Sequence, residues 1–431
     1  MTAITSQQSY SDDWKRTNPD YAVYLPSTAP YHPEAADHTM VDYTPGGDLL
    51  AIWTTAFEFR GVDQSIAFSR STDGGVNWSP RGIVSGPGPK EGQKSQWGFP
   101  VVSNAGRIYV FYNKSTGLGY TAYIECKYSD DDGYTWIDGG VEIPYRRTKW
   151  DHPDPKVPPG GIIWQKSTRD AKGRQIVPLS HGTHEFIKPH LSGAGMGGTA
   201  KFLSGLMEMR CEFLRFDNID EGPDPKDLQL TWLPDDEDLV AVPMSAEPFA
   251  SAGYSFCQEP GLVLLPDGRL FTEMRTANGD IWYTVSDDDG HTWRETEVLR
   301  YKDGGERMLN PISPSPMYRL EDGRYILFLQ NHDGYGYGGI GPLDLNSRRP
   351  QFLAVGEFRE DAHQPVWFSE PLFFCDTEMV GVFPDNMYWL SMYSSLTERD
   401  GKRVFWYTDR KIFFLGRDIT DEMLAELTVP K

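Results

Sequence analysis

Apolar and polar residues alternate in short runs on both sides of a Gly- or Asn-containing turn, and the arrangement recurs along the chain. It reads "VDYTPGGDLLAIW" from 41, "PVVSNAGRIYVFY" from 100, "KSTRDAKGRQIVPLS" from 166, "GLVLLPDGRLFTEMR" from 261, "MYRLEDGRYILFLQN" from 317 and "GVFPDNMYWLSMY" from 381. A period of two places alternate side chains on opposite faces of a strand, so each unit predicts a hairpin. A third strand is predicted after each one: "SIAFSR", "MRCEFLRF", "YIECKYS", "IWYTVS", "QFLAVGEF" and "RVFWYTD" all carry the same alternation. Long helical periodicity is almost absent.

Units recurring at spacings of roughly 55 to 95 residues predict a closed radial array of small sheets, an all-β propeller of six blades. The widest spacing, between the third and fourth units, leaves room for an insertion or a seventh blade. Residues 1–20 are expected to form a flexible arm and 21–431 a single propeller domain. Pro/Gly-rich stretches at 151–161 and 186–199 are expected to be long loops.

Three of the third strands run into a shared box: "STDGGVNW" at 71–78, "SDDDGYTW" at 129–136 and "SDDDGHTW" at 286–293. The residues suit a tight turn. Asp accepts turn N–H groups, Gly takes a conformation other residues resist, and Trp packs back on the blade. A calcium loop of the EF-hand type would alternate its ligands and end in a Glu at position twelve. Here the aspartates are consecutive and no such Glu follows.

Composition narrows the function. The net charge of −21 argues against a general nucleic-acid binder, although local arginines can still build a positive pocket. Cys126, Cys211, Cys257 and Cys375 are widely spaced, which predicts free buried thiols. No apolar run approaches the roughly 20 residues of a membrane span. The polar start "MTAITSQQSYSDDWKRTNPD" has no signal-peptide core. If Met1 is the native start, a cytoplasmic location is expected; a chain trimmed of its leader would read the same.

The boxes on this strand pattern resemble the Asp-box (BNR) repeats of the sialidase superfamily, over roughly residues 37 to 415. The resemblance implies a sialidase-like propeller with the boxes on outer turns, away from the active site. It also implies a site made of a carboxylate-binding arginine triad, a Tyr–Glu pair and an acidic Asp. "QEPGLVLLPDGRLFTEMR" carries the closest match, with Glu259 opening a strand pair and Arg275 closing it. The first unit departs from the family. Its "ADHTMVDYTPGGDLLAIW" has His38 where the first triad arginine would stand, as in a related BNR-repeat branch. Asp63, in "FRGVDQS", falls where the family's acid would fall, with Arg60 beside it. Arg348 and Arg349 in "LNSRRPQF" fall near the place of the last triad arginine. The last unit offers Tyr388 and Tyr393, and Tyr388 is the candidate for the site tyrosine. The histidines His152, His181, His184 and His332 suit either loops near a sugar site or a metal; no metal or cofactor is expected.

Two function classes follow. The first is an exo-acting enzyme on a terminal acidic sugar, with carbohydrate as its partner and neither nucleic acid nor membrane. Arg275, aided by Arg60, Arg348 and Arg349, would hold the carboxylate. In hydrolysis Glu259 would activate a tyrosine or water, and Asp63 or His38 would protonate the leaving oxygen. In β-elimination from a uronate, for example at a rhamnose–glucuronate linkage, His38 and a tyrosine would move the protons. The second class is a non-catalytic glycan-binding propeller. Titratable residues at several strand mouths favour the enzyme.

Overall fold

The computed structural model describes residues 12–26, 34–56, 63–87, 93–115, 122–163, 165–189, 208–247, 249–382 and 387–431. Its strands form six antiparallel sheets, the six blades of a propeller. β1 (Tyr21–Tyr24) belongs to the last blade. Blade 1 contains β2 (Ala35–Tyr43), β3 (Leu49–Ala56), β4 (Ser65–Ser71) and β5 (Gly82–Ser85). Blade 2 contains β6 (Lys94–Val102), β7 (Ile108–Ser115), β8 (Ala122–Ser129) and β9 (Ile137–Pro144). In blade 3 the inner strand is split into β10 (Gly160–Ile163) and β11 (Thr168–Arg169), followed by β12 (Gln175–Gly182), β13 (Met209–Phe216) and β14 (Leu230–Leu233). Blade 4 contains β15 (Cys257–Leu264), β16 (Leu270–Thr276), β17 (Trp282–Ser286) and β18 (Glu297–Val298). Blade 5 contains β19 (Met317–Arg319), β20 (Tyr325–Leu329), β21 (Gln351–Phe358), β22 (Val366–Phe368) and β23 (Leu372–Cys375). Blade 6 contains β24 (Leu390–Arg399), β25 (Lys402–Asp409) and β26 (Phe413–Asp418), with β1 as its fourth strand.

The ring closes between the two ends of the chain. β1 pairs with β26 in the register Tyr21↔Gly416, so the last blade takes one strand from near the N-terminus. The arm expected over 1–20 is, from Asp12 onward, packed on this blade. Asp13–Thr17 forms a 3-10 turn, Thr17 is fully buried, and its hydroxyl meets that of Tyr407 at 2.8 Å. Residues 1–11 lie outside the described set.

The last hairpin also differs from the expected one. It is formed by β24 and β25 around a two-residue turn, with Arg399 paired to Lys402. Asp400 and Gly401 both have positive φ, +52° and +79°, which is the hairpin geometry that Asp-Gly favours. "RVFWYTD" is therefore the second strand of its blade, and β26 is the third.

Cores form between neighbouring blades. Ile52 and Ile66 of blade 1 pack with Ile108 and Val110 of blade 2, and Phe328 of blade 5 stacks on Phe405 of blade 6 at 3.7 Å. The repeated boxes bolt blades together. In each, the Ser hydroxyl accepts from the Gly N–H, and the Asp two residues after that Ser (Asp73, Asp131 or Asp288) accepts from a backbone N–H four residues on. The Trp reaches beyond its own blade. Trp78 meets Trp406 of blade 6, Trp136 meets Phe68 of blade 1, and Trp293 stacks on Phe213 of blade 3 at 4.6 Å. Each Trp packs on its own blade as expected, and its flat indole is also shared across the blade boundary. The residue after the box Asp adds charge to the same joint: Asp132 accepts from Arg70 at 2.8 Å, and Asp289 from Lys172 at 2.6 Å.

Strand polarity separates these turns from the site. Boxes follow third strands, whereas inner strands begin and second strands end at the opposite face. Asp288→Ala is thus expected to cost about 1 kcal/mol of stability through lost turn hydrogen bonds, and to leave any activity intact. Chemical denaturation of the variant beside an activity assay checks both.

Candidate active site

The inner strands of three blades carry the same irregularity. Pairing slips after Asp37↔Thr54 in blade 1, after Gln96↔Asn113 in blade 2 and after Gln258↔Arg275 in blade 4. The next residue in each case, His38, Trp97 or Glu259, takes a positive φ of +48°, +54° or +50°. Left-handed backbone costs a non-glycine residue roughly 1–3 kcal/mol and persists where its surroundings impose it. Such bulges re-aim side chains. The strain thus falls on residues at one face of the ring, at the mouths of three inner strands.

Around them lies a compact group of charged and aromatic side chains. Arg275 donates from Nη1 to Glu259 Oε1 at 2.5 Å; Glu259 is 1% exposed and Arg275 6%. Arg348 donates from Nε to the Ile312 carbonyl at 2.7 Å, and its Nη1 lies 3.5 Å from the Tyr393 hydroxyl. The Tyr393 and His38 rings are 4.5 Å apart, and the Trp97 ring is 5.6 Å from His38. Lys411 places Nζ 3.5 Å from the Tyr393 ring centroid and forms an ion pair with Asp37. His38 Nδ1 lies 3.5 Å from Asp37 Oδ1. Thr39 donates to the Tyr393 carbonyl at 2.7 Å, stitching blade 1 to blade 6 here. Met209, Phe256, Ile312 and Leu345 form an apolar wall packed with Trp97 and Tyr393.

Burial sets the electrostatics. It pushes the Glu259 carboxyl above its ordinary range, while Arg275, Arg348 and Lys411 hold the rise back. It pushes the Tyr393 phenol up to about 12, with Glu259 adding to the shift and Arg348 and Arg275 opposing it. Burial and the like charge of Arg275 lower Arg348 to about 10, against the pull of Tyr393 and Glu259. Burial would raise Asp37, but Lys411 and His38 outweigh it and hold that carboxyl below its usual range. A site in a chain of net charge −21 thus gathers Arg275, Arg348 and Lys411.

Not every expected residue joins the group. His38, Glu259, Arg275 and Arg348 do. Tyr393 is the tyrosine that stands among them, whereas Tyr388 is half-buried near Asp344 and Arg349. Arg349 points to Asp376, with Nε to Oδ1 at 2.7 Å, and to the Tyr337 carbonyl. Its neighbour Arg348, which follows the 3-10 turn Leu345–Ser347, instead reaches the Ile312 carbonyl and the Tyr393 hydroxyl. Asp63 stands just before β4, at the site face of blade 1, where its carbonyl accepts from Ser65. Arg60 lies outside the described residues.

Asp37, Trp97 and Lys411 were not expected. Trp97 was legible: "DHTMV", "QWGFP" and "QEPGL" occupy the same place before successive hairpin turns. Lys411 had no such signal, because it sits in the connection between β25 and β26.

A second polar cluster lies at the same face of blade 3. His181, fully buried, meets Glu212 from Nδ1 at 2.8 Å and Asp151 from Nε2 at 3.1 Å. Arg146 adds a bond to Glu212 at 3.1 Å. Burial alone would lower the imidazole, but the two carboxylates raise it to about 10. The other histidines differ. His152 and His184 pack ring to ring at 4.8 Å, and His332 meets the Arg349 carbonyl at 2.9 Å. Among the described residues, no group of three or more His, Cys, Asp or Glu side chains is disposed to hold a metal ion. No helix among them is long and apolar enough to cross a membrane.

The six four- and five-stranded sheets form a six-bladed β-propeller whose arrangement matches that of sialidase structures. The chain is similar in structure to the NanB sialidase of Streptococcus pneumoniae, with TM-score 0.59 and 13% identity over 95% of this chain and 71% of that one. It is similar to a leech intramolecular trans-sialidase complexed with 2,7-anhydro-Neu5Ac, with TM-score 0.56 and 14% identity over 97% of this chain and 70% of that one. A protein of unknown function from Dyadobacter fermentans matches with TM-score 0.57 and 14% identity, over 93% of this chain and 96% of that one. No family model and no curated sequence matches the chain. At such identities the likeness is one of fold.

Proposed function

We propose that the protein is an exo-acting glycoside hydrolase that cleaves a linkage to a terminal acidic sugar. The observation that carries this reading is the state of Arg348. It is 3% exposed, its hydrogen bonds go to the neutral Ile312 carbonyl and Tyr393 hydroxyl, and Arg275 is a like-charged neighbour. A guanidinium held in this way, beside a second one, favours an incoming anion. A sugar carboxylate supplies one in a planar form that two arginines can grip. Glu259 and Tyr393, next to the same arginines, are then the groups to act at the anomeric carbon. Tyr393 serves as nucleophile and Glu259 takes its proton, while the glycosidic C–O bond breaks and His38 or Asp63 protonates the leaving oxygen.

One contact favours a second reading. His38 and Tyr393 are in ring contact at 4.5 Å, which suits a pair that moves protons in β-elimination from a uronate. Incubation with sialosides and uronate-terminated oligosaccharides separates the readings. Hydrolysis yields new reducing ends alone, and elimination also yields an unsaturated uronate absorbing near 235 nm. Binding without either signal would assign a glycan-binding propeller instead.

Arg275→Lys keeps the charge and loses the two-pronged grip. It is expected to lower kcat/KM on an acidic glycan by about tenfold or more, or roughly 1.4 kcal/mol per factor of ten. Steady-state kinetics with a carboxylate-reduced glycan as control checks it, since that control should be insensitive to the change.

A further inference from the structure

We infer that Lys411 is a positioning residue that holds the Tyr393 ring in place and stabilises its phenolate form. The assignment rests on the reading of Tyr393 as a site tyrosine, and it gives that tyrosine a source of activation outside the arginines. The ammonium of Lys411 lies 3.5 Å from the ring centroid, and Lys411 is only 2% exposed. A desolvated cation on an aromatic face is attracted by the ring's quadrupole. The attraction grows when the ring carries the negative charge of a phenolate, so the contact favours loss of the phenolic proton.

The backbone is built to deliver this contact. Arg410 and Lys411 both have positive φ, +53° and +62°, in the short connection between β25 and β26. Two consecutive left-handed non-glycine residues are costly and need outside support. The support is present. Arg410 is fully buried and grips Asp409 through Nε and Nη2, both at 2.9 Å. Its Nη2 also donates to the Asp13 carbonyl at 2.6 Å, and its backbone N–H to the Trp389 carbonyl at 3.2 Å. The Lys411 carbonyl accepts from the Ala36 N–H at 2.9 Å. Asp37 then pairs with the ammonium and fixes its direction.

The charged and titratable groups around Tyr393 come from every packed element. They are Asp37 and His38 from β2, Glu259 from β15, Arg275 from β16, Arg348 before β21, and Lys411. Arg348 reaches the hydroxyl edge of Tyr393, whereas the ammonium of Lys411 approaches the ring. Burial, Glu259 and Asp37 oppose the phenolate. Lys411 adds to the two arginines on the other side of that balance.

The test needs no substrate, so its failure is distinct from failure of the hydrolase reading. A 2,3,5-trifluorotyrosine placed at 393 gives a single reporter whose acidified phenol titrates while the chain stays folded; its fluorine NMR shift is followed against pH. In K411M the midpoint is expected to rise by about one pH unit or more, and K411R should return most of the difference. Because K411M leaves Asp37 buried without its cation, and Asp37 itself opposes the phenolate, the D37N/K411M double variant is titrated as well; its midpoint should still lie above that of D37N alone. A midpoint in K411M equal to that of the wild type together with one in D37N/K411M equal to that of D37N, or a midpoint displaced as far in K411R as in K411M, would overturn the assignment.

Discussion

Tyr393→Phe is expected to lower turnover of an acidic glycan by about 10²–10⁴-fold, the loss that removal of a group reacting or moving a proton in the transition state brings. The ring stays, so the contacts with His38 and with Lys411 stay too. Only the hydroxyl is lost, and with it one hydrogen-bond partner of Arg348 at 3.5 Å. Substrate affinity should therefore change far less than kcat. The comparison with Tyr388→Phe is decisive, because that tyrosine lies by Arg349 and Asp344 and its hydroxyl should be dispensable. Matched kinetics of the two variants on one substrate check the contrast; equal losses would undo the choice between them.

His181→Gln is expected to destabilise the fold by about 3–5 kcal/mol, the cost of removing one partner from a buried charged set. It would leave Asp151 and Glu212, 5% and 0% exposed, facing each other without their shared cation. Arg146 would still hold one Glu212 oxygen. The pH dependence has a definite sign. The imidazole pKa is raised to about 10 in the folded chain, above its unfolded value of about 6.5. Its contribution is complete below the unfolded value and is lost as pH rises through the folded one. Between pH 7 and about 10 the wild type should thus lose stability more steeply than His181→Gln. Denaturant midpoints across that window read the difference, and parallel curves would mean that the imidazole is neutral.

The fold was legible because its signal is repeated. Hairpin turns such as the one at Gly268, whose φ of +91° suits glycine, interrupt a strict alternation, and the interruption recurs six times with enough regularity to predict a ring. The last blade departs from the expected pattern for a physical reason: its hairpin register is set by Asp400–Gly401, whereas the turn-like "PDN" at 384–386 lies outside the described residues. At the site, His38 and Glu259 stood out because a charged or titratable residue opens an apolar strand. What the alternation does not encode is the bulge, since a positive φ at a non-glycine residue leaves no mark in the sequence. Tyr393 and Lys411 were hidden differently. Each is placed by contacts with another blade, Tyr393 through Thr39 and Lys411 through Ala36 and Asp37. Trp97 could have been found by aligning the starts of the hairpin units with one another.

Arg275 and Arg348 are expected to receive the carboxylate of an acidic sugar bound beside Tyr393 and Glu259. A crystal structure with N-acetylneuraminic acid or glucuronic acid soaked at saturating concentration tests it most directly. The carboxylate should lie within hydrogen-bond distance of both guanidinium groups, with the anomeric carbon toward Tyr393 and Glu259. An acidic sugar bound elsewhere on the ring, or bound here with its carboxylate turned away from both arginines, would contradict it.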